Sequence, residues 1–178
     1  MKCASKIVLV VLLVVLVKIG GVWLYLRYGH VPVAVADAPF PMEKKIVKIP
    51  LHARINRELK VAPMEANEAV FLSGAKTYVE ECAMCHGTPE GESIYAKSMY
   101  PAPPQLWKKH KTGNVVGVSD DEPGETYWVI ANGVRLTGMP AFKDDMSDQK
   151  MWQIALLLHN ADKDMSASVK AVLSGPAQ

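Results

Sequence analysis

The chain has 178 residues, enough for one ordinary domain plus an appendage, and its formal net charge of +2 is close to balance. That balance conceals a split: residues 1–65 carry 10 Lys+Arg against 4 Asp+Glu, whereas residues 66–178 carry 10 against 14. No Arg-rich or aromatic-interleaved patch accompanies the basic half, which argues against nucleic acid and for a membrane surface, and three cysteines, two of them within four residues, do not make a disulfide framework.

The first element is an apolar run from Ile7 to Tyr28, broken by Lys18 and closed by Arg27. As a helix it reaches about 33 Å, against a hydrocarbon core of about 30 Å. Lys18 costs about 3 kcal/mol near mid-membrane, which its long stem and the surrounding Val and Leu residues offset. Trp23, Tyr25 and Tyr28 suit the interface. Residues 1–28 are therefore read as a single transmembrane anchor. The competing reading is a cleaved secretory signal ending near Ala34-Val35-Ala36, a site that lies far from the apolar run. With Lys2 and Lys6 on the cytoplasmic side, either reading delivers the rest of the chain to the outer face of the membrane. Cys3 precedes the apolar run and reads as an idle thiol.

Residues 29–65 contain five prolines, Pro32, Pro39, Pro41, Pro50 and Pro63, and show no lasting helical period. They read as an extended, basic linker. Its basic run, Lys44 to Lys60, has four possible settings: anionic headgroups, the acidic domain, a partner, or solvent.

From Glu68 to Cys82 apolar residues recur at helical spacing, through Ala69, Leu72, Ala75 and Val79. This helix leads into Cys82-Ala83-Met84-Cys85-His86, the spacing of a c-type haem attachment sequence. One turn of helix brings both sulfurs to one edge of a porphyrin and sets the imidazole beneath the iron. A redox dithiol or half of a zinc site is the alternative. The first wants a βαβ setting and the second wants another ligand pair, and neither is evident.

Pro101-Ala102-Pro103-Pro104 follows, then the polar stretch Lys108 to Pro123, read as a surface loop. A helix over Glu125 to Asn132 ends at Gly133. Gly138-Met139-Pro140 comes 53 residues after His86. A methionine between glycine and proline in a loop has little reason to be core, and a thioether suits haem iron opposite histidine. His86 and Met139 are thus the axial ligand candidates, and Cys82 and Cys85 the covalent attachment points. His52, His110 and His159 read as solvated or helix-terminal residues. A last helix is capped by Ser147 and carries Met151, Ile154, Ala155 and Leu158 on one face, with Trp152 and Leu156 beside it.

Taken together these residues resemble a bacterial class I c-type cytochrome over residues 66–164, leaving 165–178 as a tail. The resemblance implies an all-α class I cytochrome c fold around one covalent haem c with its iron. It implies that the first and last helices cross, a glycine on one against an aromatic on the other, positions that Gly74 and Trp152 match. It also implies that a proline carbonyl, from the stretch Pro101 to Pro104, accepts a hydrogen bond from His86.

The function that follows is one-electron transfer by a single-pass protein of a bacterial inner membrane, with its haem domain in the periplasm. Its partners are a redox donor and acceptor and the membrane. No small-molecule substrate and no enzymatic activity are expected, because six-coordinate iron offers no open position. The alternative is a cytochrome c subunit of a larger respiratory or dehydrogenase complex.

Overall fold

A computed structural model describes residues 2–111 and 113–175, with side chains from Ser5 onward. The side chain of Cys3 lies outside the described residues. The chain divides into two compact units, residues 1–43 and 44–178.

The first unit is built on α1 (Lys2–Tyr28), within which Ser5–Tyr28 is long and apolar enough to cross a membrane. Trp23 and Tyr28 meet edge to face at its end, with the Arg27 guanidinium over the Tyr28 ring. Beyond α1 the chain turns at Asp37, whose carboxylate accepts from the Val33 and Ala34 amides at 2.8 Å each.

The second unit is helical, and among the described residues its only bridges are two isolated ones. Its helices are α2 (Glu43–Glu58), α3 (Glu68–Glu81), α4 (Ala83–His86), α5 (Pro123–Asn132), α6 (Asp148–His159) and α7 (Ala167–Leu173), with a 3₁₀ turn at Ala96–Ser98. Asn67 caps α3 by accepting from the Val70 amide, and Ser147 caps α6 by accepting from Lys150. α5 starts at Pro123, two residues before the periodic pattern, because proline is pre-shaped for a first helical turn.

α3 and α6 form the main helix pair, and α5 and α7 flank them. Ala75, Tyr78, Ile154, Ala155 and Leu157 are fully buried at their centre. The close approach predicted at Gly74 is present, and it is to backbone: an added Cβ would lie 2.5 Å from the Gln153 carbonyl oxygen. Trp152 lies flat on Tyr127, with ring centroids 4.1 Å apart.

Two segments differ from the sequence reading. Residues 43–58, expected to be part of an extended linker, form α2, with Pro50 inside it. Proline removes one helical hydrogen bond, but tertiary contacts compensate. Ile55 is 3 % exposed, the Trp128 indole N–H donates to Glu58 at 2.7 Å, and the Lys60 ammonium lies over the Tyr127 ring. Lys60 also runs so close to α5 that a Cβ on Gly124 would meet its carbonyl oxygen at 2.2 Å. The basic run therefore lies on the acidic domain. The second difference is α7, in what reads as a plain tail: Val169 and Leu173 are buried and the helix packs on α3.

Candidate haem-binding site

The end of α3 and the whole of α4 carry the cysteine motif. The His86 amide donates to the Cys82 carbonyl at 2.9 Å and the Gly87 amide to Ala83 at 2.9 Å, so Cys82, Cys85 and His86 share one tight turn. Gly87 ends it at φ +73°, where a Cβ would strike Gln105 Oε1 and the Gly91 carbonyl.

Four consecutive carbonyls leave this turn, and each finds a donor from elsewhere in the chain. Met84 accepts from the Ser93 hydroxyl at 2.6 Å, and Cys85 from the Gln105 side-chain amide at 3.1 Å. His86 accepts from the Leu106 amide at 3.1 Å, and Gly87 from the Tyr78 hydroxyl at 2.8 Å. Gln105 also accepts from the Ser93 amide at 2.7 Å, joining two of the donors. Burial pushes the Tyr78 phenol well above its ordinary range, so it remains a donor. Tyr78, Ser93 and Gln105 were not singled out in the sequence. A tyrosine one turn before the first cysteine was the available signal for Tyr78; Ser93 and Gln105 lie in loops with none.

His86 Nδ1 lies 2.8 Å from the Pro104 carbonyl oxygen. A carbonyl can only accept, so Nδ1 carries the proton and Nε2 keeps its lone pair for a ligand. Burial lowers the His86 pKa, against the opposing pull of Pro104, and so favours the neutral, ligating form.

Met139 sits in a loop that folds on itself. The Thr137 hydroxyl donates to the Val134 carbonyl at 2.7 Å and accepts from the Met139 amide at 3.1 Å. Gly133, at φ +64°, passes so close to Met139 and Pro140 that a Cβ would lie 2.7 Å from the Pro140 carbonyl carbon. The Phe142 amide then donates to the Ile130 carbonyl and pins the loop to α5.

Cys82, Cys85, His86 and Met139 all line one cavity of about 430 Å³, whose other walls are mainly apolar and include Leu106, Val129, Ile130 and Leu158. A site of this size and lining fits a flat, largely apolar cofactor. Two cysteines for covalent attachment, with an imidazole nitrogen and a thioether sulfur as iron donors, are the groups that haem c uses. The other readings of the cysteines fare worse. Burial, with the Glu81 carboxylate adding to it, pushes the Cys82 thiol up to about 12, the opposite of a reactive redox thiol. No group of three or more His, Cys, Asp or Glu suited to a metal ion occurs among the described residues.

Comparison with known families gives the same answer. The family model described as "Cytochrome C oxidase, cbb3-type, subunit III" matches residues 69–158, half of the chain. The chain belongs to this family. It is a c-type cytochrome, with covalently bound haem c, iron and an electron-transfer role. No curated protein matches it. The family match covers the cytochrome helices α3 to α6 and leaves α2 and α7 outside it.

The remaining histidines fall away from ligand positions or into other roles. His159 sits at the end of α6, as read from the sequence, and its Nδ1 donates to the Asp121 carbonyl at 2.9 Å. His110 is exposed in the polar loop. His52, read as solvated, is exposed, and from α2 it also lines the cavity shared by Cys82, Cys85, His86 and Met139.

Proposed function

We propose that this cytochrome is a one-electron carrier whose haem is bonded to Cys82 and Cys85 and ligated by His86 and Met139, held on the periplasmic face of a bacterial inner membrane by α1. The observation that carries this reading is the shared cavity, with His86 oriented by Pro104 for ligation through Nε2 while Met139 lines the same space. Bound haem supplies an Fe(II)/Fe(III) couple, and histidine with methionine as axial ligands raises its potential. The chain's own part is to fix the imidazole, line the cavity with apolar walls that exclude water, and present His86 and Met139 as the two residues that would ligate the iron, which would leave no position for a substrate. It is thus a carrier between redox proteins rather than an enzyme.

The second reading, a cytochrome c subunit of a larger complex, is favoured by the family description, which is that of an oxidase subunit. Gly20 and Gly21, where nothing lies within 4 Å of an added Cβ, leave α1 a small-residue surface on which another helix can approach closely.

The deciding experiment is a pyridine haemochrome spectrum and a haem-stained denaturing gel of the full chain coexpressed with haem-attachment machinery. One c-type haem on a 19.5 kDa chain is expected. Absence of covalent haem would overturn the reading, and haem on a shortened chain would replace the anchor with a cleaved signal. Size separation in mild detergent then distinguishes a free carrier from a subunit.

A further inference from the structure

Helix α2 lies outside the matched family region, yet Lys48, Leu51, His52 and Ile55 line the haem cavity. Those four positions follow the i, i+3, i+4, i+7 spacing of one helix face. The helix is fastened at its far end by the Trp128 to Glu58 hydrogen bond and by buried Ile55, so this face is held against the domain.

The acidic side chains that line the cavity are Glu81, Asp121 and Glu125, and the basic residue types are Lys48, His52 and His86. His86 is committed to the Pro104 carbonyl through Nδ1, and on the reading above its Nε2 is reserved for the iron. Haem carries two carboxylates at the edge away from its thioether-forming groups, and a largely apolar cavity with three acids would destabilise them unless cations or donors faced them. Glu81 adjoins Cys82 and so belongs to the thioether edge. Among the described residues neither the Lys48 nor the His52 side chain makes a hydrogen bond or a close ion pair; burial and then Asp120 raise the Asp121 pKa, with the nearby His52, His110 and Lys48 pulling the other way.

We propose that α2 is a wall of the haem pocket added to the family core, and that Lys48 and His52 are the partners of the haem carboxylates. The proposal rests on the haem reading above. In this arrangement Lys48 and His52 are positioning residues: they orient the haem and offset its carboxylate charge, which otherwise stabilises the ferric state.

The test is a potentiometric titration of the full, haem-loaded chain carrying Lys48→Gln, with Lys48→Arg and the double variant Lys44→Gln/Lys45→Gln as comparisons. Lys44 and Lys45 lie on the same helix but do not line the cavity. Lys48→Gln is expected to lower the midpoint potential, Lys48→Arg to restore it, and the double variant to move it less than Lys48→Gln despite removing twice the charge. In infrared redox difference spectra, His52→Gln is expected to shift the haem carboxylate bands. Covalent haem is retained in every variant because Cys82 and Cys85 are untouched. An unchanged potential in Lys48→Gln, or a shift no larger than that of the double variant, together with unmoved carboxylate bands in His52→Gln, would overturn the proposal. Such a result, with the haem and its far-red sulfur-to-iron band intact, leaves the ligation reading standing; loss of the band in the unsubstituted chain would strike that reading instead.

Discussion

At the scale of single residues, the turn that carries the cysteines is held by polar groups that the motif itself does not contain. A buried carbonyl deprived of its donor costs about 1–3 kcal/mol, and Gly87 depends on the Tyr78 hydroxyl for its own. Tyr78→Phe is therefore expected to lower stability by about that amount in chemical denaturation while covalent haem is kept. The geometry at Gly74 makes a second case. A methyl group 2.5 Å from a carbonyl oxygen forces α3 and α6 apart, and Gly74→Ala should destabilise by about 1–3 kcal/mol, as overpacking does. If Met139 ligates iron, Met139→Ala abolishes the far-red sulfur-to-iron band and leaves covalent haem in place; persistence of the band would remove Met139 from the site.

At the scale of elements, α2 and α7 enlarge the domain on either side of the family's matched region. α7 adds buried Leu173, 1 % exposed, and Leu173→Ala should cost about 2–5 kcal/mol, read by thermal or denaturant unfolding. α2 depends on a charge. Glu58 has its pKa lowered below 4.5, first by the Trp128 hydrogen bond and then by Arg54. A depressed carboxylate contributes stability above its unfolded pKa and loses it as pH falls through the folded value. The stability gap between the natural chain and Glu58→Gln is thus expected at pH 7 and should close as the pH drops below 4.5. A gap independent of pH would mean that the hydrogen bond, and not the ionised form, carries the effect.

At the scale of the whole molecule, the charge asymmetry has two destinations. Lys44, Lys45 and Lys48 lie on a helix packed within the acidic domain's own unit, not on a free arm. What remains for the membrane is α1, whose large apolar side chains from Ile7 to Tyr28 are exposed. Haem stain should accordingly follow the membrane fraction, resist a high-salt wash that would release an electrostatically bound protein, and come off only with detergent.

The attachment motif, the methionine loop and the helices α3, α5 and α6 were legible in the sequence because each is written locally: a fixed spacing, a glycine and proline around one methionine, an apolar period of 3.6. The linker reading failed at α2 because Ile46 and Ile49 are exposed on the face opposite Leu51 and Ile55, so apolar residues fall on both sides and blur the period. Pro50 reinforced that reading by penalising an isolated helix, a penalty that tertiary contacts at Ile55 and Glu58 outweigh. The choice of Pro104 among the nearby prolines, the stacking of Trp152 on Tyr127, and the donors for Met84 to Gly87 were likewise decided only by the folded chain. Sequence by itself determined the chemistry, since covalent attachment needs particular atoms at short separations along the backbone. Tertiary structure decided which distant groups support that chemistry, because hydrogen bonds and close approaches between segments depend on positions that no local pattern encodes.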